Sequence, residues 1–374
     1  MKIGIPVEKK VRETRVGMLP TYLKKLVDQG HEVNIQKGLA VPAGISDSEY
    51  EKFGAKVVDS AEELYSTCDF IVKFKDFTKE EYGLPFKEGQ IIFTAFHLGE
   101  GEKFTEYTKA ILNGKITGIA VEQILKSDGT RACTDPMGEV AGRMAPILGA
   151  QYAQRQYGGR GVSMSPITGL PKPKYLILGG GHAGLSAAQV AKGFGAEVTV
   201  FEKRYERLEF LRNVIPECEL QFWDKEVFAE AMKHCDVLIN CIYAVPGMEI
   251  PFVTRNMVKG MKKGAVIIDL EGCGLIETSR YTTIDEPTYI EEGVVHFCVD
   301  NIPAMVPDSA NGTWIKSTFP YVQAIANKGI TKALEDDPGL KEGVIVADGH
   351  IVNKDVSDSQ EMEYTPLTAD MLKY

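Results

Sequence analysis

The fold of this chain is decided by the stretch Tyr175-Leu-Ile-Leu-Gly-Gly-Gly-His-Ala-Gly184. Its apolar start predicts a buried parallel strand, and the spacing of Gly179, Gly181 and Gly184 predicts a tight turn into a helix. The Ala-rich run 185–195 continues that helix, and the β-branched run 196–202 predicts a second strand that ends on an acid. This order of strand, glycine turn, helix and strand is the opening of a dinucleotide-binding fold.

The glycine turn carries the chemistry of phosphate binding. A backbone without side chains can approach a pyrophosphate closely, and the first turn of the following helix offers N–H groups and partial positive charge. We therefore expect a nicotinamide dinucleotide to be bound by Gly179, Gly181, His182, Ala183 and Gly184.

The acid at the end of the second strand bears on which dinucleotide binds. Glu202 stands where a carboxylate accepts hydrogen bonds from the adenosine ribose and repels a 2′-phosphate, so the sequence favours NAD. Lys203 and Arg204 follow at once, and two cations beside the ribose can accommodate that phosphate. NADP is therefore the less favoured alternative, and Lys203 is expected to contact the cofactor.

Composition narrows the class of protein. The chain has 374 residues, 44% of them hydrophobic and 25% charged, which is enough for two domains with separate cores. A net charge of −10 argues against nucleic-acid and anionic-membrane partners. The charged N-terminus and the lack of a long apolar run predict a cytoplasmic protein without a signal peptide or membrane span. The seven cysteines are scattered, which indicates neither a metal site nor a disulfide framework.

Strands and helices alternate on both sides of the glycine turn. Before it, strands are predicted at 2–6, 31–36, 70–75, 91–97 and 116–122, with a helix from Pro20. After it, strands are predicted at 237–242 and 264–269, followed by a mainly helical tail from Phe319 with a last strand at 343–346. The pattern predicts an α/β protein with two doubly wound parallel-sheet domains.

Polar residues at the carboxyl ends of the predicted strands are candidates for the active site, because parallel sheets bind ligands at those ends. Lys75 and His97 both end strands of the first domain. Asp269 and Glu271 end a strand on the cofactor side, where one carboxylate facing a nicotinamide would act as an acid or base. On position alone, the alternatives are that Lys75 is merely solvated, that His97 has a structural role and that the two acids form a turn.

Several motifs together resemble the family of alanine dehydrogenase and the pyridine-nucleotide transhydrogenase α-subunit, to which lysine-forming saccharopine dehydrogenase is related. The resemblance covers nearly the whole chain. The motifs that carry it, besides the glycine turn, are Ile3-Gly-Ile-Pro6, Glu13-Thr-Arg-Val-Gly-Met-Leu-Pro20, Val72-Lys-Phe-Lys75, Gln90-Ile-Ile-Phe-Thr-Ala-Phe-His-Leu98, Met137-Gly-Glu-Val-Ala-Gly-Arg143, Gly158-Gly-Arg-Gly161, Val245-Pro-Gly247 and Phe297-Cys-Val-Asp-Asn-Ile-Pro-Ala304.

The resemblance implies an architecture. A Rossmann dinucleotide-binding domain over 133–305 is inserted in a discontinuous substrate domain of similar α/β fold over 1–132 and 306–374, and the substrate lies in the cleft. The family also implies a homo-oligomer, a dimer or a hexamer.

The resemblance also implies roles for single residues. Arg15 and Lys75 hold the substrate carboxylate and carbonyl, which suits a fork of donors beside an ammonium group. His97 polarises or protonates the carbonyl or carbinolamine oxygen. Three further positions match the family near the cofactor and the substrate. Asn301 and Met137 lie near the nicotinamide and substrate, and Val245 contacts the cofactor.

Two departures from alanine dehydrogenases bear on the substrate. Their strand ending V-D-I-A-I-D-Q-G-G carries a catalytic second aspartate, whereas this chain is shorter there, with Asp269 matching the first aspartate and Glu271 able to stand in for the second. Their apolar L-L-A-P run is replaced by Arg131-Ala-Cys-Thr-Asp-Pro136. Arg131 and Asp135 are therefore expected to contact a polar side chain or a second carboxylate of the substrate, because an unpaired buried polar group costs a few kcal/mol.

These inferences predict an NAD-dependent oxidoreductase that acts on the CH–NH bond of an amino acid, as alanine dehydrogenase does, with an amino acid or 2-oxo acid as its small-molecule partner. One alternative is an opine-type enzyme, similar to saccharopine dehydrogenase, that condenses an amino acid with a 2-oxo acid. Another is a non-catalytic NAD-binding subunit similar to that of transhydrogenase. The presence of both Lys75 and His97 disfavours the last, because such a subunit needs no substrate anchor.

Overall fold

The computed structural model describes residues 1–98, 105–243, 248, 250–272 and 274–374. The chain forms two compact units. The first unit comprises Met1–Pro136 and Val306–Tyr374, and the second comprises Met137–Met305. The glycine turn, residues 179–184, belongs to the second unit. Across the described residues, no helix is long and apolar enough to cross a membrane.

The elements alternate along the chain as a doubly wound fold requires. The strands are β1 (Lys2–Ile5), β2 (Glu32–Gln36), β3 (Lys56–Val58), β4 (Phe70–Val72), β5 (Ile91–Thr94), β6 (Thr117–Ala120), β7 (Lys174–Leu178), β8 (Glu197–Glu202), β9 (Glu219–Phe222), β10 (Val237–Asn240), β11 (Val266–Asp269), β12 (Thr288–Glu291), β13 (Val294–Phe297), β14 (Val344–Ala347) and β15 (His350–Ile351). The helices are α1 (Pro20–Asp28), α2 (Asp47–Glu51), α3 (Ala61–Thr67), α4 (Glu106–Asn113), α5 (Asp135–Tyr152), α6 (His182–Gly193), α7 (Tyr205–Val214), α8 (Lys225–His234), α9 (Arg255–Lys259), α10 (Pro307–Lys328), α11 (Ile330–Asp336), α12 (Pro338–Glu342) and α13 (Lys354–Gln360).

The first unit is built on an eight-stranded sheet in the order β15-β14-β6-β5-β4-β1-β2-β3. Strands β1 to β6 are parallel, and β14 pairs antiparallel with β6. The central strands β1, β4 and β5 are apolar runs whose residues are almost all buried, as expected for strands covered on both faces. The tail therefore adds an antiparallel edge to the sheet, in which β15 is a strand that the sequence pattern missed.

The second unit is built on a seven-stranded sheet in the order β12-β13-β11-β10-β7-β8-β9. Strand β7 lies between β8 and β10, so the order of connections reverses there, and such a reversal is where α/β sheets bind ligands. All pairs are parallel except β12 with β13. The predicted fold class, two doubly wound α/β units of which one is a Rossmann fold, is confirmed.

Two strands end earlier than their apolar runs predict. Strand β4 ends at Val72 and β5 at Thr94, although the sequence suggested strands as far as Lys75 and His97. The N–H groups of Phe74 and Lys75 donate to a carboxylate rather than to a neighbouring strand, which ends the ladder. His97 adopts a left-handed backbone conformation with φ of 51°, which a strand does not permit.

The strands absent from the sequence prediction share a short or mixed pattern. Strand β9 reads Glu-Leu-Gln-Phe and β12 reads Thr-Tyr-Ile-Glu, and both lie at edges of the sheet with polar residues mixed in. Strand β13 is fully buried but only four residues long. Helix α10 begins at Pro307, well before the predicted helical tail at Phe319.

Candidate active site

The glycine turn leads directly from β7 into α6. Gly179 has φ of 96°, a left-handed conformation that glycine adopts without strain, and Gly181 is the residue before the helix begins at His182. A Cβ at Gly184 would overlap the carbonyl oxygen of Gly179, so the helix and the turn approach as closely as glycine allows. A Cβ at Gly181 would meet open space. The backbone is therefore exposed at the end of the helix that attracts anions.

Two side chains from outside the turn brace it. The N–H of Gly180 donates to Oε2 of Glu202 at 3.1 Å. Arg207 donates from Nε to the carbonyl of Gly180 at 2.6 Å and from Nη2 to that of Gly181 at 3.2 Å. No role for Arg207 is predicted from the sequence, because no local pattern links α7 to the turn.

Glu202 is a buried carboxylate, 5% exposed, at the end of β8. Its Oε1 accepts from the N–H groups of Lys203 and Arg204 at 2.9 and 3.0 Å, and the Arg204 guanidinium donates to both of its oxygens at 3.1 and 3.0 Å. Burial acts to raise the pKa of Glu202, but the hydrogen bonds and charge of Arg204 and the Gly180 N–H outweigh it and hold the pKa below its ordinary value. Glu202 is therefore anionic at neutral pH.

Helix α5 packs on the start of α6. A Cβ at Gly142 would overlap the backbone of Ala183, so this glycine permits the two helices to touch. The small residues of the Met137–Arg143 motif thus serve packing, as their composition predicts. Met137 lies in the first turn of α5.

Asp269, the last residue of β11, is 1% exposed. Its Oδ1 accepts from Nδ2 of Asn240 at 2.8 Å and from the N–H groups of Glu271 and Gly272, both at 3.1 Å. Asn240 ends β10 and is paired with Asp269 across the sheet. Within the described residues, Oδ2 of Asp269 has no hydrogen-bond partner although it is buried. One oxygen is thus held and the other is left for a ligand or a proton.

Glu271 lies beside Asp269 in a different role. Its backbone N–H supports Asp269, and its carbonyl accepts from the hydroxyl of Tyr281 at 2.8 Å. Asn301 follows β13, the strand next to β11, and its carbonyl accepts from the N–H of Ala304 at 3.0 Å. The structure therefore brings Asp269 and Glu271 together at one end of the sheet.

In the first unit, Arg15 is held in place by an acid and an aromatic ring. Glu13 accepts from Nε of Arg15 at 2.7 Å and from Nη2 at 2.6 Å, a two-point ion pair with both side chains buried. The guanidinium carbon lies 4.1 Å above the ring centre of Phe74, which in turn packs on Trp314. Arg15 is 4% exposed, so its planar fork has a single orientation.

Lys75 and His97 lie on two segments that are bonded to each other. Oγ1 of Thr94 donates to the carbonyl of Lys75 at 2.8 Å, and the N–H of Ala95 donates to the carbonyl of Phe74 at 3.3 Å. The N–H of His97 donates to Oε1 of Glu122 at 2.6 Å. Because Phe74 also contacts Arg15, the structure gathers three predicted residues in one region of the first unit, and we call Arg15, Lys75 and His97 the anchoring set.

The two parts of the chain each match a family model. The model described as "Alanine dehydrogenase/PNT, N-terminal domain" matches residues 4–141, and the model described as "Alanine dehydrogenase/PNT, C-terminal domain" matches residues 145–354. The chain belongs to the alanine dehydrogenase/PNT family. The resemblance inferred from the motifs is confirmed.

Relatives in this family match the chain over its full length. It is 39% identical over 378 residues to an alanine dehydrogenase of Staphylococcus epidermidis, with all of both chains covered. It is 38% identical over 371 residues to an alanine dehydrogenase of Methanococcus maripaludis, with 98% of each chain covered. A solved structure of an L-alanine dehydrogenase is 36% identical, with a TM-score of 0.89 over 96% of this chain and 99% of the other.

A more distant structure shares the fold alone. A transhydrogenase from Sinorhizobium meliloti is 22% identical, with a TM-score of 0.77 over 94% of this chain and 99% of the other. Membership of the alanine dehydrogenase/PNT family, together with these full-length matches, confirms the expected class of protein, an NAD-dependent amino-acid dehydrogenase.

The residues around the glycine turn fit NAD. A cavity of about 310 Å³ opens beside the turn in the second unit. Trp223, Phe252 and Ile242 provide apolar walls, while Glu202 and Lys203 provide polar ones. An apolar cavity beside a buried carboxylate suits an adenine ring attached to a ribose.

The predicted cofactor residues have separate places around this cavity. Gly179, Gly181, Glu202 and Lys203 line it. His182, Ala183 and Gly184 form the first turn of α6. Val245 lies outside the described residues. The aromatic walls went unnoticed in the sequence, because Trp223 and Phe252 are far apart along the chain and show no spacing pattern.

The polar segment 131–135 forms a turn held by the side chain of Asp135. The N–H of Arg131 donates to Oδ2 of Asp135 at 2.9 Å, and Arg131 forms an isolated antiparallel bridge with Leu125. Through its bond to the N–H of Arg131, the Asp135 side chain stabilises the backbone of this turn. The predicted substrate contacts of Arg131 and Asp135 stay predictions.

Proposed function

We propose that the chain is an alanine dehydrogenase that interconverts L-alanine with pyruvate and ammonium. The observation that carries the proposal is the buried Arg15, whose guanidinium is fixed by Glu13 and by the ring of Phe74 beside Lys75. A fixed fork of donors, with a lysine following the ring that supports it, suits an α-carboxylate with an adjacent carbonyl. The full-length likeness to alanine dehydrogenases supports alanine as the amino acid.

In this proposal one unit binds the cofactor and the other binds the substrate. The second unit holds NAD through the glycine turn, Glu202 and Lys203, with Asn301 near the nicotinamide and Val245 as a further cofactor contact. The first unit, including the tail from Val306, holds the substrate. The same roles are expected from the resemblance for 133–305 and for 1–132 with 306–374, and Met137 lies close to that boundary.

Within the anchoring set, each residue has a distinct task. Arg15 binds the substrate carboxylate, and its ion pair with Glu13 fixes the plane in which it donates. The Lys75 ammonium group polarises the carbonyl oxygen. His97 donates a proton to that oxygen in one direction and removes it in the other, because its ordinary pKa lies near neutral pH.

Asp269 is the acid that we propose for the reaction. When bound, the cofactor accepts the hydride as NAD⁺ or donates it as NADH. Asp269 has one oxygen held by Asn240 and two backbone N–H groups, and its second oxygen is buried. It would stabilise the positive charge on nitrogen and exchange a proton with water or ammonia. Glu271 supports Asp269 through its backbone and has no direct role in this proposal.

An assay of NADH oxidation tests the function. Pyruvate with ammonium is compared with pyruvate plus lysine or ornithine as the amine donor. Saturable turnover with ammonium is expected. Turnover only with an amino-acid donor would replace the proposal with an opine-type enzyme, in which Arg131 and Asp135 contact the second substrate. Tight NADH binding without turnover under any condition would indicate a binding subunit.

We further propose a cytoplasmic location and a homo-oligomeric assembly. The location is supported by the cysteines, since those in the described residues are free thiols and most are buried. The assembly is supported by the resemblance to the family, which implies a dimer or hexamer. Light scattering on the purified protein, with and without NADH, measures its molar mass and so the number of subunits.

A further inference from the structure

Glu8 is a buried acid just beyond β1 that none of the expected motifs explains. Its side chain is 3% exposed. Oε1 accepts from the N–H of Phe74 at 2.6 Å, and Oε2 accepts from the N–H of Lys75 at 3.2 Å and from Nζ of Lys73 at 2.8 Å. Three donors from consecutive residues thus converge on one carboxylate.

Lys73 is the centre of this buried cluster. Its side chain has no exposed surface, and Nζ contacts Oε2 of Glu8 at 2.8 Å, Oε1 of Glu81 at 3.4 Å and the carbonyl of Asp76 at 3.2 Å. Burial raises the pKa of Glu8, while the charge of Lys73 opposes the rise. Two acids share one lysine, so the ion pair with Lys73 is common to Glu8 and Glu81.

The backbone contacts of Glu8 distinguish it from Glu81. Glu81 accepts from the N–H of Thr78, further along the chain. Glu8 instead holds the N–H groups of Phe74 and Lys75, the residues at which the strand ladder of β4 has already ended. The N–H groups of segment 74–75 are therefore held by Glu8, while its carbonyls accept from Ala95 and Thr94 beside the end of β5.

That segment positions two of the groups proposed to hold the substrate. The ring of Phe74 supports the guanidinium of Arg15 at 4.1 Å, and Lys75 supplies the ammonium group. A shift of the 74–75 backbone would move both groups relative to the substrate. A displacement of about 1 Å at such a site lowers rates by as much as about 100-fold.

We propose that Glu8 is a positioning residue for substrate binding. It acts through Phe74 on Arg15 and directly on the backbone of Lys75, and it does not touch the substrate. This inference rests on the proposed function, because it takes Arg15 and Lys75 as the groups that hold the substrate.

The test compares Glu8→Gln with the matched control Glu81→Gln. Each substitution removes one of the two negative charges around Lys73, but only Glu8→Gln places an amide NH₂ against one of the N–H groups of Phe74 and Lys75, which donate to different oxygens of Glu8. Steady-state assays measure KM for pyruvate at saturating NADH and ammonium, and KM for NADH at saturating pyruvate. We expect Glu8→Gln to raise KM for pyruvate by about 10-fold or more and to leave KM for NADH within about twofold.

The control separates positioning from structural support. Glu81→Gln is expected to change both KM values by less than about threefold. Equal effects of the two variants, or an unchanged KM for pyruvate in Glu8→Gln, would overturn the role of Glu8. If Glu8→Gln fails to fold, Glu8→Asp keeps the charge with a shorter reach, and the same selective rise in KM for pyruvate is expected. Wild-type protein without turnover of pyruvate and ammonium would overturn the proposed function, and the substrate role of Glu8 with it.

Discussion

The glycine turn of the second unit and the anchoring set of the first unit are built in opposite ways. The turn lies in one short run of sequence, and its geometry follows from which positions lack a Cβ. The anchoring set draws Arg15, Lys75 and His97 from three segments, and it is held by residues such as Glu8 that lie elsewhere in the chain. A site of the first kind depends on local sequence, whereas a site of the second kind depends on distant partners.

The largest effect on cofactor binding is expected where the turn is broken by a single methyl group. Gly184→Ala places a Cβ on the carbonyl of Gly179, so the turn must move. We expect NADH binding, measured by fluorescence titration, to weaken by about 100-fold or more, and stability to fall by about 1 to 3 kcal/mol.

A glycine in the same helix provides the control for this substitution. A Cβ at Gly193 would meet open space, so Gly193→Ala is expected to bind NADH normally. Alanine also stabilises a helix by up to about 1 kcal/mol relative to glycine. Normal NADH binding by Gly184→Ala would show that the turn tolerates a side chain and that its glycine spacing is not required.

Asp269 shares features of both kinds of site. Its position follows from the end of its own strand, β11, but its side chain is held by Asn240 of the neighbouring strand β10. Asp269→Asn is expected to lower kcat by about 100- to 10,000-fold with little change in NADH affinity, because the neutral amide cannot exchange a proton. Single-turnover measurements with NADH separate this chemical defect from binding. Glu271→Gln is the control, expected to stay within about threefold of wild type. A severe loss in Glu271→Gln with an active Asp269→Asn would assign the acid to Glu271 instead.

The anchoring set is tested by replacing the planar guanidinium of Arg15 with the compact ammonium group of lysine. Arg15→Lys keeps a positive charge for Glu13 but loses the two-point contact, so KM for pyruvate is expected to rise by about 10- to 100-fold while NADH affinity is unchanged. Arg12→Lys, at an exposed position nearby, should behave as wild type. An unchanged KM for pyruvate in Arg15→Lys would remove Arg15 from substrate binding and leave the set without its anchor.

The smallest effect is expected at Glu202, which braces the turn by a hydrogen bond. Glu202→Gln weakens its contacts with Gly180 and Arg204 and should cost about 1 to 2 kcal/mol of stability at neutral pH. The folded pKa of Glu202 lies below the ordinary value of 4.5, so its ionised form stabilises the fold above that pH, and the contribution is lost as the pH falls through the folded pKa.

Denaturant unfolding at several pH values measures this difference. The gap in stability between wild type and Glu202→Gln should be complete at pH 7 and should narrow below about 4.5. Glu206→Gln, an exposed neighbour, is expected to show no such gap at any pH. A gap that widens in acid would contradict the assignment of Glu202 as an ionised brace.

Sequence patterns predicted most of the fold and only part of the site. The alternation of apolar runs with helices identified the central strands of both sheets, because buried parallel strands are nearly continuous in apolar residues. The same rule extended β4 and β5 too far. In β4, the aromatic Phe74 follows the apolar run 70–72 after one lysine, but its N–H donates to Glu8 and not to a strand. Short strands with mixed composition, such as β9, gave no clear signal.

By itself, the sequence determined the dinucleotide turn, the α/β class and the family, because each is encoded by residue types at fixed short spacings. Tertiary structure alone decided which distant groups support the site: Arg207 on the glycine turn, Asn240 on Asp269 and Glu8 on the backbone of Phe74 and Lys75. The partners in these bonds are separated by 27, 29 and 66 residues for the pairs Arg207–Gly180, Asn240–Asp269 and Glu8–Phe74. Such contacts arise only when the sheet brings strand ends together, and no local periodicity records them.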